Sequence, residues 1–298
     1  MPASLAVSNI AWELHQDDQA LDFLKEKGVG LLEVAPTKII PEWIDFTPEA
    51  WGGFKKKIHD KGLRVSSFQA LSFKKNDLEI FHTDESRRAY IDHTKFVIDL
   101  AYELVKEPNS VAESVRLVFG SPKTRDPRGK TYEECLQIAT VFFRELGEYC
   151  LNKHKELRLE PTVDGVPAVC VCLEPNPKDY SCFFGYNIEQ ASQIVRETNN
   201  LGFRLHLDTA CLTMAGDDLY SAIKDNADIV QHFHVSEPML AKFHDVKCQH
   251  TRAAQALKEI GYNKVVSIEM RSNGDDSLKE LGVAIDFVKN TYKEVLGL

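Results

Sequence analysis

Residues 199–208 read NNLGFRLHLD, in which a glycine ends a helical stretch and a short apolar run follows it directly. The same helix–glycine–strand order recurs as KEKGVGLLEV at 25–34, DKGLRVSSF at 60–68 and EIGYNKVVSIE at 259–269. A glycine just past a helix and a short β-branched run after it are the usual signs of a helix end and a strand start. The repetition predicts consecutive βα units.

Eight strand-like runs extend this pattern over the whole chain, with helical stretches between them. The predicted strands are residues 5–10, 31–35, 64–69, 115–120, 168–174, 203–208, 229–235 and 265–270. Helix starts are indicated at Asp17, at Thr47-Pro48, at Thr131 with Glu134 in the capping-box position, and at Asn187. Eight units and no glycine-rich phosphate fingerprint after the first strand favour an α/β (β/α)8 TIM barrel over an open doubly wound sheet.

Length and composition agree with one domain. The 298 residues exceed a barrel of roughly 250 residues only by decorated loops, and no linker divides them, so we expect a single domain over 1–298. The net charge of -9 argues against a nucleic-acid partner, and no apolar run approaches the roughly 20 residues of a membrane span. Seven cysteines, an odd number, do not form a disulfide framework pattern. We therefore expect a cytoplasmic protein with reduced thiols. The sequence is compatible with a monomer or a homo-oligomer.

Four successive strands end in a side chain that can bind metal. CLEPNP supplies Glu174, HLDTAC supplies Asp208, HFHVSEP supplies His234 and SIEMRS supplies Glu269. Their spacings of 34, 26 and 35 residues are close to the roughly 31 residues of an average βα unit. The four side chains should therefore converge at one end of the barrel.

Three carboxylates buried together need a compensating cation, because unpaired ionised groups are costly in a low dielectric. Oxygen ligands with one imidazole suit Mn²⁺, Mg²⁺, Co²⁺ or Zn²⁺, and the absence of a thiolate argues against a structural zinc. We expect one divalent metal ion, its identity undetermined, bound by these four residues.

In these motifs the chain resembles the xylose isomerase-like barrels, which include sugar-phosphate isomerases and epimerases, ketose 3-epimerases, hydroxypyruvate and inosose isomerases, and the endonuclease IV enzymes. The resemblance covers essentially the whole chain. Its most specific pieces are LEVAP, VFGSPKTRDP, LEPNP, FRLHLDTACL, HFHVSEP and GYNKVVSIEMR.

The resemblance implies that the metal positions fall on the same four residues and that Glu174 and Glu269 act as acid and base. A metal bound to a carbonyl and a neighbouring hydroxyl would acidify the C–H between them and stabilise an enediolate. The leading interpretation is an isomerase or epimerase of a small sugar, sugar phosphate or hydroxy-keto compound. The alternatives are a metal-dependent lyase, of the dehydratase or C-glycoside-cleaving type, and a non-catalytic binding barrel.

The chain also departs from its relatives. Where ketose 3-epimerases carry a further Glu, a His and an Arg that hold the sugar, this sequence has Tyr180, Cys211 and Leu240. The substrate therefore cannot be transferred from them. Endonuclease IV enzymes need further His ligands on strands three and four, and these strands have none, so a DNA-repair nuclease is poorly supported.

Polar residues at the other strand ends are candidates for substrate contacts. They are Glu33, Gln69, Lys123, Arg125, Asn176, His206, Glu237 and Arg271. Lys123 and Arg125 could hold an anionic group or pair with Asp126 in their own loop. His206 could contact the substrate, support a ligand or pack in the barrel core. The long loops 72–84, 121–130 and 175–186 follow strand ends and are candidate substrate loops.

Overall fold

A computed structural model describes residues 2–106, 110–160, 162 and 164–298. Eight parallel strands form a closed barrel in which each strand pairs with its neighbours along the chain and the first pairs with the last. The strands are β1 Ser4–Ser8, β2 Leu31–Val34, β3 Arg64–Phe68, β4 Val115–Phe119, β5 Val169–Leu173, β6 Phe203–Asp208, β7 Val230–Val235 and β8 Val265–Ile268. The predicted TIM barrel is confirmed, and the first and last residues of each predicted strand differ by at most two positions from those observed.

Helices follow the strands along the chain. They are α1 Asp17–Glu26, α2 Pro48–Asp60, α3 Asp84–Val105, α4 Tyr132–Glu156, α5 Ile188–Thr198, α6 Thr209–Ala215, α7 Leu219–Lys224, α8 His250–Glu259, α9 Ser277–Thr291 and α10 Lys293–Leu296. Among the described residues, no helix is both long enough and apolar enough to cross a membrane.

Side-chain caps explain where several helices begin. Thr131 and Glu134 form the expected capping box at the start of α4, and Asn187 accepts a hydrogen bond from the Gln190 amide at the start of α5. Such caps satisfy amide groups that have no partner inside the helix. Local sequence signals therefore fix these boundaries.

The two faces of each strand carry different kinds of side chains and contact different parts of the molecule. The outward face packs on the helices, as where the ring of Phe203 on β6 stacks on Phe143 of α4 with centroids 4.2 Å apart. The inward face carries polar side chains, among them Glu33, His206 and His232, all fully buried. Alternation along the strand separates the two sets. The barrel interior leads directly to the candidate site at the carboxyl ends of the strands.

Candidate metal centre

The four predicted ligands meet at the carboxyl end of the barrel. Glu174, Asp208, His234 and Glu269 each offer a ligand atom, and these atoms all lie within 4.8 Å of one another. From Nδ1 of His234 the nearest carboxylate oxygens are 3.2 Å away in Glu269, 3.8 Å in Asp208 and 3.9 Å in Glu174. All four residues are buried, and only 12% of the Glu269 side chain is exposed. Parallel strand ends thus assemble one compact donor set from four strands.

The electrostatics of this cluster favour a cation. Burial raises the pKa of Glu174, and burial together with the neighbouring Glu174 carboxylate raises the pKa of Asp208. Burial also raises the pKa of Glu269 to about 7. Three carboxylates that oppose one another's ionisation, next to one imidazole nitrogen, fit a divalent ion that would neutralise them.

Space for the Glu174 carboxylate depends on a glycine of the neighbouring strand. A Cβ atom placed on Gly120, just after β4, would lie under 3.0 Å from Oε2 of Glu174 and 3.3 Å from its Cδ. The Asn176 amide donates to the same Oε2 at 2.8 Å. Glu174 is therefore held in a recess that only a residue without a side chain leaves open.

A buried network beneath the cluster orients His234. Nε2 of His234 lies 2.9 Å from Oε2 of Glu33, and Nε2 of His232 lies 2.8 Å from the same oxygen. The Ser67 hydroxyl donates to it at 2.7 Å, and the Gln69 amide donates to the other Glu33 oxygen at 3.3 Å. With Nε2 directed at Glu33, Nδ1 of His234 faces the cluster. A carboxylate that fixes the ring of a metal-binding histidine in this way is a common support for such sites.

This network keeps opposite charges together. Burial opposes ionisation of Glu33, but its two histidine neighbours outweigh burial and hold its pKa well below the ordinary value. Burial likewise opposes the charged form of His234, and the carboxylates of Glu33 and Glu269 raise its pKa well above the usual range. In the barrel interior the Glu33 carboxylate is thus paired with the two histidines, so that its buried charge is compensated.

His206 differs from the other interior histidines. Its Nε2 lies 3.3 Å from Oε1 of Glu174 but not in hydrogen-bonding alignment, and neither ring nitrogen has a hydrogen-bond partner among the described residues. Burial, reinforced by His234 and His232, holds its pKa well below the ordinary value. His206 is therefore a neutral ring packed against Glu174 and His234.

A cavity of about 400 Å³ opens above the cluster. Of the predicted substrate contacts, Gln69, Asn176 and Arg271 line it, together with Glu174, Asp208 and Glu269. The three residues that replace the sugar-binding side chains, Tyr180, Cys211 and Leu240, also line it. Phe73 and Met239 complete the mouth, and the sequence did not single them out.

The other five predicted contacts do not line this cavity. Glu33 and His206 lie below the cluster, in the barrel interior described above. Nη1 of Arg125 is buried and donates to the backbone carbonyls of Glu174 at 3.1 Å and of Gly185 at 3.3 Å. Lys123 is exposed in a neighbouring depression, and within the described chain neither basic residue forms an ion pair with Asp126.

Glu237 is also directed away from the cavity. Its carboxylate lies 2.7 Å from Nε2 of buried His250 and accepts hydrogen bonds from the amides of Lys247 and Cys248. Nδ1 of His250 is in turn 2.9 Å from the Tyr292 hydroxyl. The carboxylate thus ties the loop after β7 to α8.

The closed barrel and its clustered carboxylates and histidine define an α/β barrel with a candidate metal centre at the carboxyl ends of its strands. Residues 21–291 match the family described as the xylose isomerase-like TIM barrel, and the chain belongs to this family. No curated protein sequence matches the chain.

Solved structures similar to the chain include several sugar epimerases. The 3-keto-D-glucoside 4-epimerase YcjR from E. coli, in its apo form, is 14% identical with a TM-score of 0.71, covering 97% of this chain and 99% of its own. D-psicose 3-epimerase from Clostridium cellulolyticum H10, solved with D-tagatose, is 15% identical with a TM-score of 0.74 over 97% and 99%. The IOLI protein with a bound zinc atom is 17% identical with a TM-score of 0.68 over 98% of each chain. At these identities the likeness establishes the shared fold.

Proposed function

We propose that the protein is a divalent-metal-dependent isomerase or epimerase that moves a proton next to a carbonyl of a small sugar, sugar phosphate or hydroxy-keto compound. The observation that carries this proposal is the convergence of Glu174 and Glu269 with Asp208 and His234 at one cavity. The sugar epimerases and zinc-bound IOLI among the similar structures support it.

Glu174, Asp208, His234 and Glu269 would hold the metal ion. When bound, a divalent ion supplies Lewis acidity that stabilises negative charge on a carbonyl oxygen. The ion would be Mn²⁺, Mg²⁺, Co²⁺ or Zn²⁺, since the four ligands offer only carboxylate oxygen and imidazole nitrogen.

The two glutamates are the proposed proton carriers. One glutamate takes a proton from the carbon beside the carbonyl, and the other, itself protonated, donates a proton to the opposite face of that carbon in epimerisation. In isomerisation a proton is delivered to the adjacent carbon instead. In the metal-free protein, burial raises the pKa of Glu269 to about 7, so its carboxyl group takes up a proton more readily than an exposed glutamate. The Asn176 amide, bound to Oε2 of Glu174, holds the second carboxylate in a fixed orientation.

Two measurements test the proposal. Metal analysis after loading with Mn²⁺ should find one ion per chain in the wild type and less in Glu174→Gln and Glu269→Gln. Incubation of the loaded protein in deuterated water with a panel of ketoses, and of hydroxy-ketones that carry an alkyl or aryl group, should place deuterium beside the carbonyl of a substrate. Glu26→Gln, an exposed substitution on α1, serves as the control and should change neither result.

The outcomes separate the alternatives. Exchange followed by loss of water or of an aglycone would identify a lyase. A metal-loaded protein that exchanges no deuterium across the panel would instead support a binding barrel. A wild type that binds no divalent ion would refute the metal centre itself.

A further inference from the structure

The walls of the cavity above the metal centre are mainly apolar. The apolar lining comprises Ala70, Phe73, Val118, Ala210, Cys211, Met239 and Leu240. Cys211 and Leu240 stand at two of the positions where ketose epimerases carry polar sugar-binding side chains, and Met239 is the neighbour of Leu240. The wall therefore offers contact area but few hydrogen-bonding groups.

Most polar groups that do line the cavity already have partners within the protein. The Asn176 amide donates to Glu174, and the Ser121 hydroxyl lies 2.6 Å from the Ser72 hydroxyl. The Tyr180 hydroxyl accepts a hydrogen bond from the Met239 amide at 3.0 Å. A hydroxyl-rich chain buried against this wall would leave polar groups unpaired, at a cost of roughly tenfold in affinity for each.

Two large apolar side chains are exposed at the mouth. Phe73 is 58% exposed and Met239 is 52% exposed, and both line the cavity. Single exposed apolar residues are ordinary on a protein surface. Two at the mouth of the same cavity, continuous with apolar walls inside it, form a surface suited to an apolar ligand group.

The backbone fixes both of these side chains in place. Met239 and Leu240 have φ of 60° and 55°, and the amide of Arg271 donates to the Leu240 carbonyl at 3.2 Å. On the other side, Lys74 has φ of 67°, and the Trp43 indole donates to the Phe73 carbonyl at 2.7 Å. Left-handed backbone at residues other than glycine is uncommon and clusters at ligand clamps.

We propose that the substrate carries an apolar alkyl or aryl group remote from its carbonyl, and that this group packs against Phe73, Met239 and Leu240. The inference rests on the proposed function for the other end of the substrate, whose carbonyl faces Glu174 and Glu269. The preferred substrate is thus a conjugate with an apolar substituent, and a free sugar lacks the group that this wall contacts.

Hydroxamates test the apolar wall, because they chelate a metal through two adjacent oxygens and can carry different tails. Binding of acetohydroxamate, 4-phenylbutanohydroxamate and the monohydroxamate of succinic acid to the Mn²⁺-loaded protein is measured by calorimetry. We expect the phenyl tail to improve affinity about tenfold over acetohydroxamate, since burial of several apolar carbons is involved. Equal affinities, or a larger gain from the carboxylate tail near Arg271, would overturn the inference.

Substitutions locate the contact. Phe73→Ala and Met239→Ala should each remove about threefold or more of the gain from the phenyl tail, and neither should alter acetohydroxamate binding. Ile44→Ala removes an apolar side chain that is 90% exposed and does not line the cavity, so it should leave every affinity unchanged. A full gain in the Phe73→Ala, Met239→Ala double variant would place the tail elsewhere and refute the assignment.

A second readout separates this inference from the metal proposal. Saturation-transfer NMR with 4-phenylbutanamide on the metal-free protein reports tail contact without a chelating group. We expect transfer to the phenyl protons in the wild type and its loss in the double variant. Failure of acetohydroxamate to bind would count against the metal centre alone, whereas absence of transfer would refute the apolar site.

Discussion

Replacing Gly120 by alanine would insert a methyl carbon into the space that the Glu174 carboxylate occupies. The added carbon would lie under 3.0 Å from Oε2 and 3.3 Å from Cδ of Glu174, where ordinary contact begins at 3.4 Å. The carboxylate must therefore move by about 1 Å, and displacements of that size at a catalytic group cost about 10²-fold in rate. Its hydrogen bond from Asn176 would be disturbed in the same movement.

The expected result is selective loss of function. Deuterium exchange into an active ketose should fall about 10²-fold, and Mn²⁺ should bind more weakly because one of its four ligands is displaced. Overpacking of this kind lowers the free energy of unfolding by about 1–3 kcal/mol, which an ordinary domain survives. Exchange rate, Mn²⁺ affinity and urea unfolding are measured on the same preparations.

Gly53→Ala is the matched control. Gly53 lies inside α2, and no atom is within 4 Å of a Cβ built there. Alanine should stabilise the helix by about 0.5–1 kcal/mol and leave exchange and metal binding unchanged. If Gly120→Ala retained wild-type metal affinity and exchange, the recess would not position Glu174 and the reasoning would be refuted.

Three further predictions concern buried carboxyl groups. Glu33→Gln weakens the hydrogen-bond acceptor of His234 and should lower Mn²⁺ affinity about 10–100-fold in a titration, whereas the control Glu26→Gln should bind Mn²⁺ like the wild type. If Glu33→Gln and the wild type had equal Mn²⁺ affinities, Glu33 would not support the site. Glu237→Ala removes the acceptor that buried His250 shares with the Lys247 and Cys248 amides and should lower the free energy of unfolding by about 1–3 kcal/mol in urea without changing Mn²⁺ affinity, and a drop in affinity as large as that of Glu33→Gln would contradict this separation. The pKa of Glu269 rises from 4.5 to about 7 on folding, so its carboxyl favours the folded metal-free protein at low pH, and this contribution declines from about pH 4.5 until it is lost above pH 7. Urea unfolding at a series of pH values should therefore show the metal-free wild type losing stability relative to Glu269→Gln over that window, and a constant difference would contradict the raised pKa.

The parts of the fold that depend on local chemistry could be predicted from the sequence. Thr131 with Glu134 marks the start of α4, and the left-handed glycines at positions 28 and 62 follow the ends of α1 and α2, because capping and turn conformation involve only neighbouring residues. The convergence of the four candidate ligands also followed from spacing, since consecutive parallel strands place their ends at one edge.

The direction of a side chain beyond the strand end could not be predicted in this way. Arg125 and Glu237 follow strand ends in the sequence, yet their partners are backbone carbonyls and a histidine of α8, which only the tertiary structure brings near. Phe73 lies in the loop 72–84 that the sequence marked as a candidate substrate loop, but neither Phe73 nor Met239 was predicted individually. The backbone beside them is left-handed at Lys74, Met239 and Leu240, none of which is a glycine that would have signalled this conformation.

The alternation along the barrel strands assigns folding and chemistry to different residues. Phe203 and Phe233 face the helices, while the residues that alternate with them face the interior, where His234 contacts Glu33 and His206 is a buried ring beside Glu174. Aliphatic and aromatic burial on the outer face supplies most of the driving force for folding. Substitutions inside the barrel that preserve charge pairing can therefore accumulate during evolution and alter the chemistry of the candidate site, while the outer layer continues to specify the same architecture.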